Sequence, residues 1–314
     1  MKAETYVPIR PVCDRRLANT AVWHLIQPSD FNMRIPDSIK KSVVFIGIDS
    51  GAGKVDFKGT GFFVSVPSTR VPKHNLIYLV TAKHVVAEIG NREFCIRANT
   101  KDGKSIIFQG DKQIKWWFHP KDEESADVAV LHMFFPKGLA QTLDFSALPI
   151  EALLTDEQIK SDGIGDGDDV FITGLFAHHH GSEKNLPIIR TGNIAMMPEE
   201  PIPTSKFGNM EVYLIEARSI GGLSGSPVFV LKPNPLEQVR IYLLGLIHGH
   251  WDVNPEQIID AISPDAKIKA GVNVGIAMVM PAKKILETIN RKELLDMRSE
   301  LESDWLSKNS PTAD

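Results

Sequence analysis

A succession of short apolar runs, each closed by a cluster of Gly, Pro, Asp or Asn, limits what this chain can fold into more than any other feature. From residue 38 the runs are S-V-V-F-I-G-I, G-T-G-F-F-V-S-V, L-I-Y-L-V-T, F-C-I-R-A, I-I-F and D-V-A-V-L-H-M. After the loop S-D-G-I-G-D-G-D-D come V-F-I-T-G-L-F, I-I-R-T-G-N-I-A-M-M, E-V-Y-L-I-E-A, P-V-F-V-L, I-Y-L-L-G-L-I-H-G and N-V-G-I-A-M-V-M. Their lengths and their β-branched and aromatic content read as strands. Few helical patterns lie between them, so alternating β-α units are excluded and an all-β architecture is expected. The count fits two six-stranded antiparallel β-barrels, over residues 38–150 and 151–281.

Two terminal segments differ from these barrels. Residues 1–37 mix Pro, Arg and short apolar pieces and read as an extension lying against a core. In residues 282–314, Ile285, Ile289, Leu294, Leu295, Met297, Leu301 and Trp305 recur near helical spacing, which predicts a C-terminal amphipathic α-helix. Its apolar stripe is expected to dock on the second barrel; self-association or a partner protein would use the same stripe. Residues 251–272 form a segment long for a hairpin loop, which could serve as a lid or a docking surface or equally be a decorative insertion.

The balance of residue types narrows the function classes. A chain of 314 residues, 43% hydrophobic and 24% charged, can bury a sizeable core. Its net charge of -4 shows no basic excess, so neither nucleic acid nor an anionic membrane is an expected partner. Cys13 and Cys95 are too few for a disulfide-built secreted scaffold and leave at most one bridge open. With no signal-peptide segment and no long apolar run, the expected compartment is the cytoplasm. No cofactor or metal is expected. The phosphate-loop-like G-I-D-S-G-A-G-K lacks the first glycine at Ile48 and the Ser/Thr at Val55, and reads as a hairpin turn. His178, His179 and His180 are consecutive, which rarely lets three rings converge on one ion.

Residues 221–229, G-G-L-S-G-S-P-V-F, hold one serine between glycines just before a strand. Gly222 and Gly225 could aim successive N–H groups at one point beside the Ser224 hydroxyl, as an oxyanion requires. A tight turn whose serine bonds its own backbone would use the same residues. A serine nucleophile needs a base, usually a histidine oriented by a carboxylate. His84 stands just past the apolar run of L-V-T-A-K-H, and Asp127 opens D-V-A-V-L-H-M, where a buried carboxylate must find partners. An α/β-hydrolase is excluded, because G-x-S-x-G would need glycine at Ser226 and the chain lacks β-α alternation.

T-A-K-H, D-V-A-V-L and G-L-S-G-S-P resemble, in this order, the three catalytic motifs of the trypsin-like (chymotrypsin-fold) serine peptidases. The likeness extends to G-T-G-F-F-V-S, D-G-D-D-V-F-I-T-G, R-T-G-N-I-A and V-G-I-A-M-V-M-P-A-K-K-I-L. It covers about residues 38–290 and is nearest in character to bacterial HtrA/Deg-like members. The resemblance implies a serine endopeptidase acting on protein or peptide: Ser224 the nucleophile, His84 the general base and then acid, Asp127 the residue that fixes the imidazole tautomer. The N–H groups of Gly222 and Ser224 would form the oxyanion hole. No residues follow 314 to form the PDZ domain of the HtrA group, so its peptide-sensing regulation is not expected. Leu223 replaces the aspartate that captures a new N-terminus in digestive members, so activation by that salt bridge is not expected either.

Two further expectations rest on the same alignment. Arg218, six residues before Ser224, together with His248 or His250 on the strand L-L-G-L-I-H-G-H, would line the first specificity pocket and favour an acidic or amide side chain. The competing reading is a catalytically silent module of the same fold that binds peptide or a partner protein.

Overall fold

The computed structural model describes residues 6–9, 35–51, 54–110, 114–135, 138–204, 207–217, 221–233, 239–253 and 272–309, with the backbone alone described at 6–9, 252–253 and 272–274. Each of the apolar runs is a strand. The first half contributes β1 (Tyr6–Ile9), β2 (Val43–Asp49), β3 (Val55–Pro67), β4 (Asn75–Thr81), β5 (Phe94–Asn99), β6 (Ser105–Gly110), β7 (Trp117–Phe118), β8 (Ala129–Met133) and β9 (Leu148–Pro149). The second contributes β10 (Asp169–Gly174), β11 (Ile188–Met196), β12 (Ile202–Thr204), β13 (Gly208–Met210), β14 (Tyr213–Glu216), β15 (Pro227–Pro233), β16 (Val239–Val253) and β17 (Val272–Pro281).

The second half closes into a six-stranded barrel in the order β10-β11-β14-β17-β16-β15, with β12 and β13 as a separate hairpin. The first half corrects the expectation of two closed barrels. Its sheet runs β1-β6-β5-β2-β3-β4-β8-β7, with β9 beside β3, and no closure occurs among the described residues. The reason lies at its two ends. The free edge of β6 is taken by the parallel N-terminal strand β1, with Tyr6 opposite Ile107. The other end is β7, whose two residues pair, among the described residues, with β8 alone. Part of the expected N-terminal extension is thus an edge strand, which covers hydrogen-bonding groups that would otherwise stay open. The segment G-I-D-S-G-A-G-K joins β2 to β3 with Asp49 opposite Val55.

One apolar cluster runs through both halves, from Phe62, Phe63 and Leu79 in the first to Phe171, Phe229 and Leu246 in the second. A polar latch reinforces the junction: Arg97 on β5 donates to the carbonyls of Gly181 and Ser182, and Asn185 Nδ2 donates to the Arg97 carbonyl. Cys95 is a free buried thiol, pushed up to about 11 by burial; Cys13 lies outside the described residues. No described helix is long and apolar enough to cross a membrane.

The short helices α1 (Asp37–Lys41), α2 (Lys83–Ile89), α3 (Leu139–Thr142) and α4 (Asp156–Asp162) lie between strands. The C-terminal segment is two helices, not one. α5 (Ala282–Ile289) ends at Asn290, and α6 (Lys292–Asn309) begins after Arg291, whose N–H bonds Thr288 O. α5 packs against β8 as well as β16 and β17. α6 reaches the β3–β4 turn of the first half: Glu302, nearly buried, accepts from Ser68 Oγ at 2.5 Å and Thr69 N at 3.0 Å, and the Trp305 ring meets His74.

Beside α6, His132 on β8 packs against Tyr78 and Phe134, with Arg298 near Tyr78. Burial, aided by Arg298, pushes His132 down to about 4. The unfolded chain therefore binds this proton more tightly, so stability is unaffected above the ordinary histidine range and falls as pH drops through it towards 4. Between pH 7 and pH 5 we expect a loss of about 2 kcal/mol from this group. Urea unfolding of wild type and His132→Phe at both pH values measures it; an identical pH dependence in the two proteins would contradict the assignment.

Candidate active site

The site forms where the two halves meet, and three turns build it. The first follows β4. Ala82 is extended, and α2 starts at Lys83 with free N–H groups in its first turn, as every helix has. The N–H of His84 is one of these, and it donates to Asp127 Oδ1 at 2.8 Å. The second turn supplies the carboxylate. Ala126 N bonds Asp122 O, Val128 N bonds Ala126 O, and Asp127 between them is 1% exposed at the head of β8. Its other oxygen, Oδ2, lies 2.6 Å from His84 Nδ1. One carboxylate therefore caps a helix and orients the imidazole on it. An ionised carboxylate only accepts, so Nδ1 carries the proton and His84 Nε2 is left as a base.

Burial alone would push the Asp127 carboxyl up, but hydrogen bonds from His248 and His84 outweigh it and hold the group well below the usual carboxylate range. It is an anion at every pH where the protein would work.

The third turn carries Ser224. Leu223 is fully buried and anchors it, in place of a charged residue. Gly225 N bonds Ile247 O, Ile247 N bonds Ser226 O, and Ser226 N bonds Leu223 O, which ties the turn to β16. The glycines answer to geometry. Gly222 has φ +95° and Gly225 φ +80°, in the left-handed region that side chains resist. A Cβ on Gly225 would also lie 2.3 Å from Thr60 O and 2.4 Å from Thr81 Oγ1. Ser224 is adjacent to the His84 segment: a Cβ on Gly59 would lie 2.7 Å from Val85 Cγ2 and 2.9 Å from Ser224 O. His84 and Asp127 are directly bonded, whereas among the described residues no hydrogen bond joins Ser224 Oγ to His84. Such bonds are often long until substrate is bound.

Thr60 is a site residue that sequence reasoning missed. It is fully buried, its N–H donates to Ser224 O at 2.9 Å, and its hydroxyl donates to Gly222 O at 2.9 Å while accepting from Leu175 N. It thus holds two carbonyls of the glycine-rich turn in place. The available signal was a hydroxyl held between glycines, G-T-G, inside an apolar strand.

Of the expected pocket residues, Arg218 lies outside the described residues, as does most of the 251–272 insertion. His250 is partly exposed on β16. His248 is nearly buried, and its Nδ1 lies 2.5 Å from Asp127 Oδ2. The histidine run does not converge either: His178 packs on Phe176, and His180 on Phe57.

Among the described residues one group has metal-ligand spacing: His84, Asp127 and His248, with donor atoms within 4.8 Å of one another. Tetrahedral zinc with bonds near 2.0–2.1 Å separates its ligand atoms by about 3.3 Å. The nitrogen–oxygen separations of 2.5 and 2.6 Å are instead those of charge-assisted hydrogen bonds.

No family model matches the chain, and neither does any curated protein. Among solved structures it is similar to Deg5, at a TM-score of 0.46 and 15% identity, over 80% of this chain and 88% of that one. It is also similar to Rv3671c from M. tuberculosis H37Rv, in the inactive form of a serine-to-alanine mutant, at a TM-score of 0.41 and 18% identity, over 81% of this chain and 88% of that one.

Proposed function

We propose that this chain is a serine endopeptidase acting through Ser224, His84 and Asp127. The observation that carries the reading is the buried Asp127 carboxylate, which bonds both the ring and the backbone of His84 beside a serine turn whose glycines hold positive φ. Ser224 Oγ attacks the scissile carbonyl carbon while His84 Nε2 takes its proton. The imidazolium is steadied through Nδ1 by Asp127, and the new oxyanion is met by the N–H groups of Gly222 and Ser224. Collapse breaks the C–N bond, and His84 returns the proton to the leaving amine. Water then repeats the sequence on the acyl group and frees the acid.

One observation favours a second reading, a silent module that binds peptide: His84 bonds Asp127, and no hydrogen bond joins it to Ser224 Oγ among the described residues. A fluorophosphonate probe separates the two. The peptidase should be labelled as wild type and not as Ser224→Ala. A folded wild type left unlabelled both alone and with peptide present would establish the silent module.

A further inference from the structure

A histidine is out of place in the apolar run L-L-G-L-I-H-G-H unless something pairs with it, because a buried polar ring without a partner costs free energy. β16 solves this with a bulge. Ile247 pairs with Val279 and Gly249 with Met278, so His248 is the extra residue, and an extra residue re-aims its side chain. The ring stands edge-on to Phe207 at 4.8 Å and to His84 at 5.6 Å. Its Nδ1 meets the same Asp127 oxygen that His84 uses. Asp127 thus receives three donors: the His84 N–H on Oδ1 and two imidazole N–H groups on Oδ2. Ile247, one residue earlier, holds the serine turn through both its N–H and its carbonyl. One dipeptide of β16 therefore fixes the serine turn and the carboxylate together.

We propose that His248 is a positioning residue of the triad: it locks Asp127 from behind and shares that carboxylate with His84, so that the basicity of His84 is set by two imidazoles instead of one. This rests on the peptidase reading for its kinetic consequence, but the pairing itself does not.

The sign follows from the shared oxygen. Each N–H on Oδ2 weakens it as an acceptor for the other. With His248 removed, Asp127 bonds His84 alone, the His84 imidazolium is stabilised, and a higher pH is needed to free the base. The titratable groups facing Asp127 are His84 from α2 and His248 from β16. Lys83, the neighbouring charge on α2, is held by Glu123, and Phe207 on the far side of His248 is uncharged.

The test compares wild type, His248→Leu and His248→Asn, since the asparagine amide nitrogen occupies the place of Nδ1. His248→Leu should lower kcat by about 10- to 100-fold with little change in KM, the scale on which the loss of an outer-shell hydrogen-bond partner is felt at metal sites. The acid limb of kcat/KM should move up by about one pH unit. His248→Asn should restore most of both. Equal losses in the two variants with an unmoved acid limb would reduce His248 to packing and overturn the proposal. A second measurement needs no turnover. In Ser224→Ala, proton NMR should show two far-downfield ring N–H signals, and adding His248→Asn should remove one. An unchanged spectrum refutes the pairing even if the peptidase is active. Two signals in a protein that hydrolyses no peptide would leave the pairing standing and remove the peptidase.

Discussion

Replacing Asp127 by asparagine is expected to lower kcat/KM by about 10⁴-fold, as much as removing a triad member generally does. The cause is specific to the donors around this carboxylate. If the substituted amide keeps its oxygen towards the two rings, its NH₂ faces the N–H of His84, donor against donor, where the carboxylate oxygen of Asp127 now accepts at 2.8 Å. If it flips, the NH₂ faces both Nδ1 atoms, and each ring must move its proton to Nε2. His84 Nε2 is then already protonated and cannot accept from Ser224. His84→Ala should cost a similar factor by removing the base outright. The check is kcat/KM with a peptide substrate, alongside far-UV circular dichroism to show that each variant is folded. A loss of tenfold or less in Asp127→Asn would mean that His84 does not depend on this carboxylate.

The strands and the order of the motifs were legible because both depend on local residue choice. β-branched runs bounded by turn formers need no tertiary information, and T-A-K-H, D-V-A-V-L and G-L-S-G-S-P each carry their glycine, histidine or carboxylate in a recognisable setting. What was not legible depends on partners far apart in sequence. The open first sheet follows from β1 occupying the edge of β6, and nothing in Y-V-P-I announces that edge. Thr60 is an ordinary strand threonine until Gly222 O and Ser224 O arrive beside it. The resemblance of L-L-G-L-I-H-G-H to the pocket-wall strand of the trypsin-like peptidases puts His248 or His250 beside the first specificity pocket, and carries no information on bulges. A bulge inserts one residue and turns the ring towards Asp127, and periodicity cannot foresee it. The break between α5 and α6 escaped for a similar reason: the apolar stripe continues across Asn290 and Arg291, and the partners of Glu302, Ser68 and Thr69, lie more than 200 residues away in sequence.

Gly225→Ala should be among the most damaging single methyl groups that can be added to this protein. The residue holds φ +80°, which costs an L side chain about 1–2 kcal/mol. The added Cβ would sit 2.3 Å from Thr60 O, 2.4 Å from Thr81 Oγ1 and 3.0 Å from Ala82 N. Two of these three contacts are backbone, so no rotamer change relieves them, and overpacking of this kind adds about 1–3 kcal/mol. Relief requires the serine turn to withdraw from Thr81 and Ala82, which lead directly into His84. That displaces Ser224 from its base, and a misplacement near 1 Å costs about 10²-fold in rate. We therefore expect a loss of about 2–5 kcal/mol in urea unfolding, together with fluorophosphonate labelling at least about 10²-fold slower. Gly221→Ala is the internal control: a Cβ there meets nothing within 4 Å, and stability should change by no more than about 0.5 kcal/mol. If the two variants behave alike, the serine turn does not press against the Thr81–Ala82 segment, and the close approach that joins nucleophile to base is absent from the working protein.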